Sequence, residues 1–123
     1  MRYAIAAAVA LTLSSPAAAT IGLLCKPANG GRPHVGLVFG AGADGGIASV
    51  HLKEGGSWRT SYHKGDRLVL TRSSVQRPWV QADFLDNKGP QRRGRLHVRI
   101  SGYTASGTFF LNGRTWKVRC MQN

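Results

Sequence analysis

The chain has 123 residues, with 17 Lys and Arg against 5 Asp and Glu, which gives a formal net charge of +12 at pH 7. That length suits one domain, and its apolar runs fall short of the ~20 residues that a membrane-spanning helix needs. So strong a positive charge points to polyanionic partners and favours no particular fold.

The first nineteen residues have the features of a cleaved secretory signal peptide. Arg2 supplies a positive start, residues 4–13 form a short apolar run, and Pro16 is followed by three alanines. A signal peptidase reads small residues at this place, so we expect cleavage after Ala19. Residues 20–123 are then predicted to form a single exported domain, periplasmic or extracellular, without a membrane span.

The two cysteines of the chain, Cys25 and Cys120, lie near the two ends of that domain. In an oxidising compartment an even pair in a small chain indicates a disulfide, and closing a loop of about 100 residues is worth up to ~4.7 kcal/mol in the chain-entropy model. Neither a zinc-ligand cluster nor a Cys-x-x-Cys redox motif accompanies them. The pair predicts one structural disulfide that joins the N- and C-terminal strands.

Strands and turns are predicted along the whole domain. Apolar residues alternate with polar ones in short runs, which is the period of a half-buried strand. The inward faces predicted in this way are Ile21, Leu23 and Cys25; Val35, Leu37 and Phe39; Ala48, Val50 and Leu52; Leu68 and Leu70; and Val80, Ala82 and Phe84. With residues 95–119 this makes about eight strands. We expect an all-β fold, either a small antiparallel β-barrel or a two-sheet sandwich.

The segment GAGADG, residues 40–45, fits the pattern Gly-x-Gly-x-x-Gly that binds a pyrophosphate in other folds. That chemistry needs a helix to begin after the glycines, whereas the following residues alternate like a strand. Asp66 stands at about the distance of the expected ribose-binding acid, a coincidence that is common in a short chain. A loop between strands is therefore the favoured interpretation.

The histidines and the acids form no catalytic or metal-binding motif. The histidines His34, His51, His63 and His97 stand at no recognised ligand spacing, and the acids Asp44, Glu54, Asp66, Asp83 and Asp86 lie mostly in turn contexts. Asp in a turn commonly hydrogen-bonds its own backbone. No nucleophile elbow, His-Glu-x-x-His or P-loop motif is present. The sequence therefore predicts a protein that is not an enzyme and has no cofactor and no metal.

The segment TFFLNGRTWKVRC, residues 108–120, predicts a β-hairpin. Asn112-Gly113 is a strong signal for a type I′ turn, which needs a positive φ at both central residues. Pairing Leu111 with Arg114 then places Phe109 opposite Trp116, so that both strands agree on the inward face. The outward face carries Phe110, Lys117 and Arg119, with threonines between them.

The strand GRLHVRI, residues 94–100, alternates basic side chains with apolar ones. If Leu96 and Val98 face inward beside the hairpin, the outward residues of both elements form one basic face with an aromatic ring. Its predicted members are Arg92, Arg93, Arg95, His97, Arg99, Phe110, Lys117 and Arg119. Guanidinium groups pair phosphates bidentately, and a ring can pack on a base or a sugar. The competing interpretation is a solvated surface that keeps strands from aggregating.

The function expected from these features is that of an exported or envelope-associated binding domain. Its basic face would hold an anionic polymer, such as lipopolysaccharide, a nucleic acid or another polyanion. The alternative is a periplasmic inhibitor or interaction module for an acidic protein partner, since complementary charge selects partners.

Overall fold

The computed structural model describes residues 21–40 and 46–122, and the predicted signal peptide and Asp44 lie outside this part of the chain. The described residues form nine strands and one 3-10 turn. The strands are β1 Ile21–Pro27, β2 His34–Phe39, β3 Ile47–Lys53, β4 Arg59–Thr60, β5 Leu68–Gln76, β6 Trp79–Asp86, β7 Arg92–Ser101, β8 Thr104–Leu111 and β9 Arg114–Gln122, and the turn is Lys64–Asp66. The extra strand relative to the sequence prediction is β4, which is only two residues long.

All nine strands belong to one antiparallel sheet in the order β4-β3-β2-β1-β9-β8-β7-β6-β5. The sheet curls until β3 lies against β5 and β6, and so forms a nearly closed barrel. The predicted all-β antiparallel fold is confirmed, as a single barrel and not as two layered sheets. Within the described residues no helix is long and apolar enough to cross a membrane.

The hairpin of β8 and β9 has the predicted register. Leu111 pairs with Arg114 and Phe109 with Trp116, while Asn112 and Gly113 have φ values of 48° and 93°. Phe109 and Leu111 are buried inside the barrel, and Trp116 packs partly against them. The local turn chemistry therefore fixes which face of both strands is core.

The disulfide joins β1 to β9 at a registered pair, because Cys25 lies directly opposite Cys120. Both cysteines are buried in the barrel interior. The predicted link between the N- and C-terminal strands is thus confirmed. It links the two neighbouring strands at which β1–β4 and β5–β9 join into one sheet.

The interior is filled by one cluster of inward side chains, mostly at the positions that alternation predicts. Its buried apolar members are Leu23, Cys25, Val35, Leu37, Val50, Leu52, Leu68, Val80, Ala82, Phe84, Leu96, Val98, Ala105, Phe109, Leu111, Val118 and Cys120. The inward prediction for Ala48 is wrong, because the pairing of β2 with β3 shifts by one residue after Val38–Ser49. This bulge turns Ala48 to the exposed side and brings Ile47 against the core.

Two glycines allow the barrel wall to be this tight. A Cβ at Gly94 would overlap the ring of Phe84, which lies across that backbone from β6. A Cβ at Gly107 would overlap the carbonyl oxygen of His97 on β7. Both glycines lie on the inward-facing side of their strands. Gly94 makes room for the ring of Phe84, and Gly107 lets the backbone of β7 approach closely.

We predict that Gly94→Ala lowers the free energy of unfolding by about 3 kcal/mol, the upper part of the range for overpacking a core. The ring of Phe84 has to leave its place for the new methyl group. The matched control is Gly89→Ala in the β6–β7 loop, where a Cβ meets nothing within 4 Å, and its effect should stay within about 0.5 kcal/mol. Urea unfolding of the two variants measures both values. Equal stabilities would contradict the packing described for Phe84.

Candidate functional site

The outer face of β7, β8 and β9 brings together most of the residues predicted for a basic surface. The strand register aligns Arg95 with Phe110, His97 with Thr108 and Lys117, and Arg99 with Ser106 and Arg119. These side chains point outward because their sequence neighbours are buried in the barrel. Phe110 keeps 38% of its surface exposed. Arg93 precedes Arg95 by two residues and therefore lies on the same outer face.

A line of cations crosses four strands on this face. Arg99 on β7, Ser106 on β8, Arg119 on β9 and Lys26 on β1 are consecutive registered neighbours, and we call them the basic line. With about 4.8 Å between strands, the line spans about 14 Å. None of its three cations forms an ion pair with a described residue.

The basic line ends at an exposed aromatic ring. Trp79 on β6 lies directly opposite Arg99 and keeps 44% of its surface exposed. Its indole stacks flat on the imidazole of His97, with 4.6 Å between ring centroids and 11° between planes. The stack fixes the orientation of Trp79 and leaves the rest of the ring open to a ligand.

Lys26 and Trp79 are members of this surface that the sequence prediction did not include. The signal for Lys26 was present, because an antiparallel Cys25–Cys120 pair places the following residue of β1 opposite Arg119. For Trp79 the sequence could predict the outward direction of the side chain but not its neighbours on the next strand. Alternation in β6 turns it outward once Val80 is inward, but nothing in the sequence reports the register between β6 and β7.

Arg95 is on the predicted face, but its charge is already compensated. Its Nε donates to Oδ1 of Asp83 at 2.8 Å, and its Nη2 donates to Oδ2 at 3.0 Å. These hydrogen bonds, together with the carboxylate charge, raise the pKa of Arg95. Arg95 is therefore not a free cation, unlike the three cations of the basic line.

Arg92 does not belong to the basic face. It shares the inward parity of Gly94 and Leu96 and lies at one end of the barrel. There Nη1 and Nη2 donate to both carboxylate oxygens of Glu54, at 2.8 and 2.6 Å, and Nε donates to Asp86. The prediction that placed Arg92 with the outward arginines is corrected by the pleat, which turns each residue opposite to the one before it.

Four charged residues form a closed ion cluster at this end of the barrel: Glu54, Arg59, Asp86 and Arg92. Arg59 on β4 donates to Asp86 from Nη1 at 3.0 Å and from Nη2 at 2.6 Å. Asp86 is only 2% exposed. The two carboxylates and two guanidinium groups compensate each other, so the cluster connects β4 and the β3–β4 loop to β6 and β7.

Burial alone would raise the pKa of Asp86. Hydrogen bonds from Arg59 and Arg92, and from the backbone N–H of Lys88, outweigh burial and hold the pKa well below its usual range. The hydrogen bonds from Arg92 likewise lower the pKa of Glu54. The acids that the sequence assigned to turns therefore include buried structural partners of arginine.

Asp66 and the glycine-rich segment are the remaining features that the sequence singled out. Asp66 accepts the backbone N–H of Thr60 at 2.9 Å, and so caps local structure. Residues 41–45 of the glycine-rich segment lie outside the described part, and the strand expected after it begins at Ile47. In residues 21–40 and 46–122, no group of three or more His, Cys, Asp or Glu side chains is arranged to hold a metal ion.

Comparison with known proteins finds no match. No family model matches the chain. No curated protein and no solved structure matches it either. A function for the basic line therefore has to follow from the residues of this chain.

We predict that Asp86→Asn lowers the free energy of unfolding at neutral pH by about 3 kcal/mol. This is the lower end of the range for removing one partner of a buried ion pair, because Arg92 still has its ion pair with Glu54. The folded-state pKa of Asp86 lies below its unfolded value, so the unfolded chain binds more protons. The contribution is complete above about pH 4 and is lost as the pH falls toward the folded-state value.

Urea unfolding across this pH range measures the difference between the wild-type protein and Asp86→Asn, which should shrink on acidification. The control is Asp83→Asn, which breaks the exposed pair with Arg95 and should cost less than about 1 kcal/mol. A difference for Asp86→Asn that does not change with pH would contradict the role of the carboxylate charge.

Proposed function

We propose that this protein is an exported, non-enzymatic binding domain whose outer face holds an anionic polymer. The observation that carries the proposal is the basic line, where Arg99, Arg119 and Lys26 stand in register with no carboxylate between them. Suitable ligands are lipopolysaccharide, a nucleic acid or another polyanion. The ligand would lie across the strands, with Trp79 at one end of its path.

The distribution of acids supports this proposal. Asp83, Asp86 and Glu54 are each bound by an arginine, and Asp66 is held by a backbone N–H. The carboxylates are therefore engaged in structural contacts, while cations of the outer face remain free. After cleavage behind Ala19, which removes Arg2, the formal net charge of +12 becomes +11, and it adds a long-range field that speeds the approach of a polyanion.

The chemistry of the side chains fits phosphate or carboxylate groups. A guanidinium group pairs either one through two parallel N–H donors, as Arg99 and Arg119 are free to do. Lys26 adds a compact point charge next to Arg119. Neighbouring like charges repel each other in the free protein, and a bound anion removes that repulsion.

Export is supported by two features. Residues 1–19 carry the positive start, the apolar run and the small residues of a secretory signal. The disulfide between Cys25 and Cys120 belongs to an oxidising compartment such as the periplasm or the extracellular space. An envelope polymer would be within reach of a protein in either place.

An acidic protein is the second candidate partner. A shallow hollow lies between Arg93 and Arg95, floored by Phe110, Leu85 and nearby threonines. Such a hollow can accept an apolar side chain whose acidic neighbour meets Arg93, since Arg95 is paired with Asp83. Saturable binding of one protein at fixed stoichiometry, with no affinity for polymers, would favour this candidate over the first.

We predict that the double variant Arg99→Ser, Arg119→Ser weakens binding to duplex DNA and to lipopolysaccharide. On DNA, two lost phosphate contacts should flatten the log–log dependence of affinity on salt by about 1.8. Binding of the oxidised protein is measured across a salt series on both polymers. The charge-matched control is Arg72→Ser, Lys88→Ser, two exposed cations outside the basic line. Equal loss in both double variants, or no binding by the wild type, would refute the proposed site.

A further inference from the structure

Five rings from β2, β3, the β3–β4 loop and the segment after β4 form a continuous strip. Taken in spatial order they are His34, Trp58, His51, Tyr62 and His63, and we call them the ring strip. Consecutive ring centroids are 6.5, 6.5, 5.7 and 4.8 Å apart. The chain brings them together from positions that show no common spacing in the sequence.

The two large rings of the strip are open to solvent. Trp58 is 39% exposed and Tyr62 is 66% exposed. The rings meet at angles between 37° and 81°, so the strip has no parallel stack that would cover their faces. Exposed aromatic surface of this kind marks an interaction site more often than it marks a structural core.

Two imidazoles of the strip, His34 and His51, have a lowered pKa. Burial is the main cause that lowers the pKa of His34, and the charges of Lys26, Arg32 and Lys53 lower it further against the opposing effect of the Gly31 carbonyl. Burial also lowers the pKa of His51. A neutral imidazole offers one donor and one acceptor.

The hydrogen bonds of these imidazoles leave capacity for a ligand. Nε2 of His34 donates to the Gly31 carbonyl at 3.0 Å. Its Nδ1 is then an acceptor with no partner among the described residues. Nε2 of His51 lies 2.9 Å from Oγ of Ser49. The strip thus presents ring faces and polar ring edges side by side.

The ring strip begins at the Lys26 end of the basic line, opposite to the end at which Trp79 lies. Lys26 is next in register after the pair Cys25–Val35, and its charge acts on His34. On the other side His34 pairs with Lys53, whose Nζ lies 5.8 Å from the centre of the Trp58 ring. The two surfaces are therefore parts of one path around the barrel.

We propose that the basic line and the ring strip together bind a partly acidic polysaccharide. The apolar C–H faces of its sugar rings pack on Trp58 and Tyr62, and the imidazoles hydrogen-bond its hydroxyl groups. Its acidic substituents lie along Lys26, Arg119 and Arg99. This inference rests on the proposed function, because it names the class of polymer that the basic line takes.

Charge density favours a polysaccharide over a single-stranded nucleic acid. A nucleic acid carries a phosphate on every unit, and its path would place several of them along the ring strip. The cations that act on the strip gather at its His34 end, where burial and the charges of Lys26, Arg32 and Lys53 lower the pKa of that imidazole. Farther along the strip, burial is what lowers the pKa of His51. A sugar is uncharged unless it is substituted, so a polymer with neutral stretches suits the strip and leaves its acidic groups for the basic line.

The test uses the delipidated core oligosaccharide of a lipopolysaccharide, before and after chemical removal of its phosphates, and a thymidine oligonucleotide of similar length. The double variant Trp58→Ala, Tyr62→Ala should lower affinity for the phosphorylated oligosaccharide by about tenfold, the combined loss expected for two modest aromatic contacts, with the salt dependence unchanged. Tyr103→Ala, an exposed ring in the β7–β8 turn, is the matched control and should bind as the wild type does.

The outcomes separate the two proposals. If Arg99→Ser, Arg119→Ser loses affinity while Trp58→Ala, Tyr62→Ala does not, the basic line stands and the polysaccharide inference fails. If the ring variant alone loses affinity, for both forms of the oligosaccharide, the proposed polyanion function fails. Tighter binding of the oligonucleotide than of the phosphorylated oligosaccharide, with equal dependence on Trp58, would also overturn the polysaccharide inference.

Discussion

The antiparallel pairing of β1 with β9 is the contact on which the rest of the molecule depends. Strands β1 to β4 form one meander and β5 to β9 form another, and in the sheet order the two meet at β1 and β9. The disulfide fixes that contact at Cys25 and Cys120. The same pairing brings Lys26 beside Arg119. The joining of the two meanders and the assembly of the basic line therefore have one origin.

The ion cluster is the second place where the two meanders meet. It links β4 and the β3–β4 loop of the first meander to β6 and β7 of the second. The junction of β1 with β9 contains a buried disulfide. The second junction consists of ion pairs at one end of the barrel. Because Asp86 and Glu54 are engaged there, and Asp83 is engaged with Arg95, arginines in structural contacts take up much of the negative charge.

Alternation and turn chemistry predicted the local structure well, since both act between near neighbours in sequence. The Asn112-Gly113 turn fixed the register of β8 and β9, and the cysteines identified the terminal strands as neighbours. Prediction failed where the pairing with another strand decides which way a side chain points or which residue it meets. The bulge that turns Ala48 outward arises in its pairing with β2, and Trp79 meets Arg99 only through a register between strands. The ring strip depends on the path of the β3–β4 loop, for which the sequence has no periodic signal.

The basic line is a strained arrangement that the fold keeps in place. Arg119 and Lys26 are adjacent like charges, and such pairs lower the stability of a sheet. They stay together because their chain neighbours are buried in the core: Val118 and Cys120 on either side of Arg119, and Cys25 before Lys26. A disulfide and an apolar core thus oppose a repulsion at the surface. Cations held apart from carboxylates in this way need no rearrangement to meet an anion, and such preorganisation reduces the free-energy cost of binding.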